Sequence, residues 1–138
     1  MVYVDTSALV PLFIREASSD AIIDWLGSSG EPLAISEGTL VEFASGAAIK
    51  RRADHITAKL VKEATAHMYE FVQKHCTVAV PVRENFRRAV ELVGGLNLRV
   101  GNALHRAVAE GLNAHVVLSL DHAMIEAAKV LGMPAVKI

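Results

Sequence analysis

Cysteine, aromatic residues and an excess of charge are all scarce in this chain. Cys76 stands alone, which excludes an internal disulfide and a cysteine-bound metal cluster. Aromatic residues make up only 5% of the sequence, and Trp25 and the two tyrosines are too scattered to form a stacking platform for single-stranded nucleic acid. Fourteen Lys and Arg against fifteen Asp and Glu leave a formal charge of −1, which excludes nucleic-acid binding by bulk positive charge. Any nucleic acid must instead be held by a local basic patch or by a metal. No apolar run approaches the roughly 20 residues needed to span a bilayer. Met1-Val2-Tyr3-Val4-Asp5 lacks a basic region ahead of its apolar residues, so no secretory signal and no membrane are expected, and the expected location is cytoplasmic.

What the chain does have is apolar content, 52% over 138 residues. That length suits one domain, 1–138, with a full core, and the composition excludes a disordered tail. A net charge near zero gives little self-repulsion, which suits a chain that associates with partners. Short aliphatic runs at 2–4, 33–35, 77–80, 116–118 and 135–137 read as buried strands. Helical segments are expected at 7–14, 17–28, 37–52, 55–75, 83–94, 101–111 and 122–132, with Gly132 ending the last. Strands alternating with helices predict an α/β fold, a three-layer α/β/α sandwich around a central, mostly parallel five-stranded sheet.

In such sheets ligands bind beyond the carboxyl ends of strands, near a topological switch point. Asp5 closes the first predicted strand, and Asp121 follows the fourth. Each precedes a helix, so each alone also reads as an N-cap or first-turn acid. Glu42 sits mid-helix in Leu40-Val41-Glu42-Phe43-Ala44, with small residues Gly38, Ser45 and Gly46 one turn away. Those leave room for an ion or another backbone. Glu37 lies five residues earlier, about 140° away around the axis, so the two cannot face one site. Glu37 after Ser36 reads as a first-turn acid. A further helix starts near Arg99-Val100-Gly101-Asn102, with Ala103, Leu104, Ala107, Val108 and Leu112 as its core face. Asn102, His105 and Arg106 then fall on its edge, and His105 reads as a packed or exposed histidine rather than a base.

Together these residues resemble the PIN-domain ribonucleases, and most closely the VapC-type toxins of toxin–antitoxin pairs, over essentially the whole chain. Val4-Asp5-Thr6-Ser7-Ala8-Leu9 is similar to the family's opening strand and first acid. Ile35-Ser36-Glu37-Gly38-Thr39-Leu40-Val41-Glu42 resembles its second motif. Leu98-Arg99-Val100-Gly101-Asn102-Ala103-Leu104-His105-Arg106-Ala107 resembles its third, and Leu118-Ser119-Leu120-Asp121 its fourth acid, with Gly132-Met133-Pro134-Ala135-Val136 leading to the closing strand. No motif is specific alone; four in order at fitting distances are. Asn102 departs from the pattern, which has an aspartate there. An amide oxygen is a poorer ligand for a hard cation and cannot act as a base. The change is either engineered to inactivate a harmful toxin, favoured because every neighbour still fits, or a naturally weakened variant.

The resemblance implies a metal-dependent endoribonuclease toxin with Mg²⁺ or Mn²⁺ held by Asp5, Glu42, Asn102 and Asp121. Thr6 and Ser119 would orient a ligand or water, and local backbone bonding is the equally open alternative. Arg99 and Arg106 are the candidates for RNA phosphate contacts. Lys50-Arg51-Arg52 reads instead as the cationic end of a helix, and Arg83, Arg87 and Arg88 as a solvated face. The implied partners are RNA, a VapB-type antitoxin, operator DNA through that antitoxin, and a second copy. The homodimer is expected to pair segments 38–50 and 56–75 through Phe43, Ala47, Leu60, Met68, Phe71 and Val72. Four other readings bear on the same residues. A haloacid-dehalogenase-type phosphatase needs a second Asp where Ser7 stands, and a response-regulator receiver needs an acidic pair and a late Lys that are missing. A non-catalytic PIN module acting by protein binding, and a housekeeping PIN nuclease, stay open.

Overall fold

A computed structural model of the chain describes residues 1–136 and 138. Five short strands, β1 (Val2–Val4), β2 (Leu33–Ser36), β3 (Cys76–Ala79), β4 (Val116–Leu118) and β5 (Ala135–Val136), form one sheet in the order β3-β2-β1-β4-β5. Every pairing is parallel, with Val2 opposite both Leu33 and Val116. The sequence predicted a mostly parallel sheet; among the described residues it is wholly so. The expected last strand extended to Lys137, which lies outside the described residues.

Helices α1 (Thr6–Leu9), α2 (Ser19–Ser29), α3 (Glu37–Arg52) and α4 (Ala58–His75) precede α5 (Arg83–Leu96), α6 (Val100–Gly111) and α7 (His122–Leu131). Side chains alternate across a strand, and the three central strands use that alternation to serve two cores. Val2, Val4, Leu33, Ile35 and Leu118 face a cluster with Leu9, Ile22, Phe43 and Met68, from α1–α4. Tyr3, Ala34 and Val117 face the opposite side, with Val108, Ala109 and Met124 from α6 and α7. The sheet is therefore covered on both faces, which explains why its strands read as unbroken apolar runs.

Two expectations need correction here. The first helix was expected over 7–14, but α1 stops at Leu9 and a 3-10 turn, Val10–Leu12, replaces its second half. Pro11 has no N–H for an α-helical bond, and its ring crowds the preceding turn. The second concerns the apolar stripes assigned to a dimer surface. Phe43, Ala47, Met68 and Val72 are buried inside this chain, and Phe71 packs edge-on against Phe13. Of those six residues only Leu60 is exposed. Phe43, Ala47, Met68 and Val72 pack into one core cluster with Val2, Val4, Leu33 and Ile35 of the sheet, which absorbs that stripe. Truncating Phe43 to Ala would cost about 3–5 kcal/mol on that account. Exposed apolar residues remain on α3 and α4 at other positions, Val41 (71% exposed), Ile49 (56%) and Tyr69 (52%), and a further group sits together on Phe86, Val90 and Val93 of α5 and Val100 at the start of α6.

Candidate active site

The chain order reverses between β1 and β4: β2 and β3 lie beyond β1, and β5 lies beyond β4. The strands' carboxyl ends diverge there into α1 and α7, which is where a crevice opens in such sheets. Asp5 and Asp121 sit on its two sides. A pocket of about 320 Å³ at this point is lined by Asp5, Thr6, Ser7, Glu42, Asn102 and Asp121, with Gly46 and Ile49 on its α3 wall. The structure thus brings together all four residues singled out in the sequence. Glu37 is exposed in the first turn of α3 and takes no part, as its register required.

Asp5 is 2% exposed and tightly held. Its Oδ1 accepts from the Thr6 backbone N–H at 2.8 Å, and its Oδ2 accepts from the hydroxyls of Ser7 at 2.6 Å and Ser119 at 2.7 Å. A buried carboxylate with three donors is fixed in place with its charge balanced by dipoles. Ser119 is buried as well, and its oxygen accepts from the Asp121 backbone N–H at 3.1 Å. Asp121 caps α7: Oδ1 accepts from Ala123 N at 2.8 Å and Met124 N at 3.3 Å. Capping uses one oxygen and leaves the other for the pocket, so the two readings of this acid are compatible.

Glu42 reaches the pocket from the middle of α3, its side chain 44% exposed. Its carboxylate lies against the first turn of α6, where free N–H groups favour negative charge. A Cβ on Gly101 would come within 3.6 Å of both carboxylate oxygens, in ordinary contact. Asn102 lines the pocket beside it and makes no side-chain hydrogen bond among the described residues.

His105 is the residue that the sequence underrated. It is not at the edge of α6 but 2% exposed, with Nε2 2.7 Å from Glu42 Oε1 and 3.6 Å from Asp5 Oδ1. Its Nδ1 lies 2.7 Å from the Tyr3 hydroxyl, and Thr6 Oγ1 lies 3.3 Å from Nε2. Burial alone would lower the imidazole pKa, but the Glu42 hydrogen bond and the charges of Asp5 and Glu42 outweigh it and raise the value. One signal was available: His105 stands three residues after Asn102, and residues three apart share a helix face.

Arg106 also departs from expectation. Its guanidinium is 1% exposed, donates to the Met133 carbonyl at 2.9 Å, and faces Glu110 at 3.5 Å. Burial pulls its pKa down against the pull of Glu110. A side chain so enclosed joins α6 to the entry of β5 and does not meet a phosphate. Arg99, at the N-cap of α6, is exposed and without an acid partner among the described residues. Lys50 pairs with Glu16 at 2.6 Å, and Arg88 with Glu91 and Glu110, both at 2.8 Å.

Carboxylate and amide oxygens without thiolates suit a hard divalent cation. Among the described residues, however, no three His, Cys, Asp or Glu side chains gather closely enough to hold one ion together. The oxygens left without protein donors belong to Glu42, Asn102 and Asp121. Such a set fits an ion held by one or two carboxylates and otherwise by water, as Mg²⁺ commonly is, rather than a closed protein cage.

The model of the PIN domain matches residues 2–130. The chain belongs to the PIN-domain family. No curated protein is similar enough in sequence to count as a match. Among solved structures, the Mycobacterium tuberculosis toxin VapC20, titled as cleaving the sarcin–ricin loop, superposes with a TM-score of 0.73 at 16% identity, covering 92% of this chain and 95% of that one. A toxin–antitoxin complex from Klebsiella pneumoniae gives 0.66 at 17% identity, covering 99% and 97%. This PIN domain therefore has the fold of VapC toxins from end to end. Among its described residues no helix is long and apolar enough to cross a membrane.

Proposed function

We propose that this PIN domain is a metal-dependent endoribonuclease toxin of the VapBC type, in a form weakened by Asn102. The observation that carries the reading is the meeting of Asp5, Glu42, Asn102 and Asp121 in one pocket at the carboxyl end of the sheet. Glu42, Asp121 and the Asn102 amide would hold Mg²⁺ or Mn²⁺ directly, with Asp5 acting directly or through water. When bound, the ion lowers the pKa of a water and offsets charge on the phosphate being cleaved. Asp5, gripped by Thr6, Ser7 and Ser119, gives the pocket a fixed negative wall and orients water. Ser119 and Thr6 keep the acids from turning away. Arg99, exposed at the N-cap of α6 three residues before Asn102, would take a flanking phosphate. With an amide at 102 the pocket lacks one charge, so the ion is held weakly and cleavage is slow.

The partners follow the same reading. The Klebsiella toxin–antitoxin complex supports an antitoxin as partner; in this reading that antitoxin is of the VapB type and links the toxin to operator DNA in the cytoplasm. A second copy would pair through the α5 stripe Phe86, Val90 and Val93 with Val100. The stripe is flanked by exposed Arg83 and Arg87 and by Glu84 and Glu91. Charges of both signs beside one apolar stripe make it complementary to itself, as a two-fold interface requires.

A non-catalytic PIN module is the second reading, favoured by Asn102 and by an Asp5 whose oxygens are already satisfied. Expression of the Asn102→Asp variant separates the two. Arrest of host growth, relieved by the neighbouring small open reading frame, is expected for a toxin. Unimpaired growth with no RNA cleavage in Mn²⁺ favours the binding module.

A further inference from the structure

Glu42 differs from the other two acids in how it is held. Asp5 and Asp121 stand at strand ends, beside backbone N–H groups and short hydroxyls that fix them locally. Glu42 has a longer side chain on a half-exposed helix face, next to Gly38, Ser45 and Gly46, which give it nothing to lean on. Its hydrogen bond is to His105, 63 residues further along the chain.

The orientation of that histidine is set from behind. Tyr3 lies in the middle of β1 with no exposed surface, and its hydroxyl meets Nδ1 at 2.7 Å. The two ring nitrogens therefore face groups of different kinds. A carboxylate oxygen only accepts, so Nε2 must carry the proton that it donates to Glu42. A phenol can donate to a bare Nδ1 or accept from a protonated one, so Tyr3 satisfies Nδ1 in either charge state of the ring. The opposite tautomer would set a bare Nε2 against the carboxylate. Burial also holds the Tyr3 phenol well above its ordinary pKa, only partly offset by hydrogen bonds from Ser36 and Thr39, so it keeps its own proton.

We propose that Tyr3 and His105 are positioning residues: Tyr3 fixes the His105 ring with Nε2–H toward Glu42, and His105 holds that carboxylate in the pocket lined by Asp5. Nε2 lies 3.6 Å from Asp5 Oδ1 as well, so the ring stands between the α3 acid and the acid after β1 at the carboxyl end of the sheet. Their contribution to RNA cleavage rests on the function proposed above; the ring orientation does not.

A long-range proton–nitrogen spectrum of the isotope-labelled, metal-free full chain reads the His105 ring directly, with the signals assigned by their loss in His105→Gln. A protonated Nε2 is expected, with Nδ1 bare or protonated; a neutral ring protonated only at Nδ1 overturns the proposal. In Tyr3→Phe, Nδ1 loses its partner, so the ring should lose its single fixed orientation and its nitrogen signals should shift and broaden. Mn²⁺ affinity, measured in the Asn102→Asp background, should fall about 10–100-fold in that variant, as for lost outer-shell partners of a metal site. An unchanged ring and unchanged affinity overturn the role of Tyr3. Gln at 105 can set an amide N–H near the place of Nε2, so His105→Gln should stay within about tenfold of the parent while His105→Leu loses about 10–100-fold. Equal losses in both reduce His105 to packing. If the parent binds no Mn²⁺, the proposed function fails, and the wild-type ring spectrum still decides the orientation.

Discussion

Ser119 donates its hydroxyl to Asp5 Oδ2 at 2.7 Å while its oxygen accepts from the backbone N–H of Asp121. One buried side chain on the loop after β4 thereby links the acid after β1 to the acid after β4, across the switch point of the sheet. Ser119→Ala should leave Asp5 with fewer donors and cost about 1–3 kcal/mol, the range for an unsatisfied buried group. Denaturant unfolding measures it. A loss below about 0.5 kcal/mol, the level of a neutral surface change, would mean that Ser7 and the Thr6 N–H suffice to hold Asp5.

Arg99 and Arg106 should separate cleanly. For single-stranded RNA bound without cleavage, in the presence of a chelator, Arg99→Ala should reduce the slope of log K against log salt by about 0.7, one phosphate contact. Arg106→Ala should leave the slope unchanged but destabilise the fold by about 2–4 kcal/mol, through lost packing of a long buried stem. The reverse pattern would restore Arg106 as an RNA contact.

How much of this was legible in the sequence varies by residue. Asp5, Asp121 and Glu42 were found because strand ends and helix register are local, and a carboxylate in an apolar helix stretch stands out. Pro11 is visible in the sequence too, and its missing N–H, rather than the apolar spacing around it, decides where the first helix ends. Arg106 and His105 were misplaced for a different reason. Which polar residue of an amphipathic helix is buried depends on what meets it, here Tyr3, Glu42 and the Met133 carbonyl, all distant in sequence. The dimer stripe failed likewise: Phe43 and Met68 show an apolar face, but not whether the sheet or a second copy covers it.

A second copy, if paired through α5, should be lost on Val90→Asp with Phe86→Ser. Light scattering should give a mass near twice 14.8 kDa for the parent and near 14.8 kDa for the variant. Leu60→Ser, on α4, should leave the dimer intact. Loss of the dimer on the Leu60 change alone would return the interface to α3 and α4.

Cys76 begins β3 half-buried, and burial pushes its thiol up to about 11. The raised value favours the neutral thiol in the folded state. Its contribution to stability is therefore present below pH 9, the ordinary value, and is lost as pH rises from there through about 11. Alkylation of the native chain at pH 8 should be far slower than after unfolding. Equal rates would show an accessible, unperturbed thiol.

The central claim is that the pocket is a hard-cation site short of one acid. Calorimetric titration of Mn²⁺ into the wild-type chain and into Asn102→Asp tests it most directly. The variant should bind at least about tenfold more tightly, since a charged oxygen replaces a neutral one among ligands for a hard ion. Equal affinities, or no binding by either form, would contradict the account.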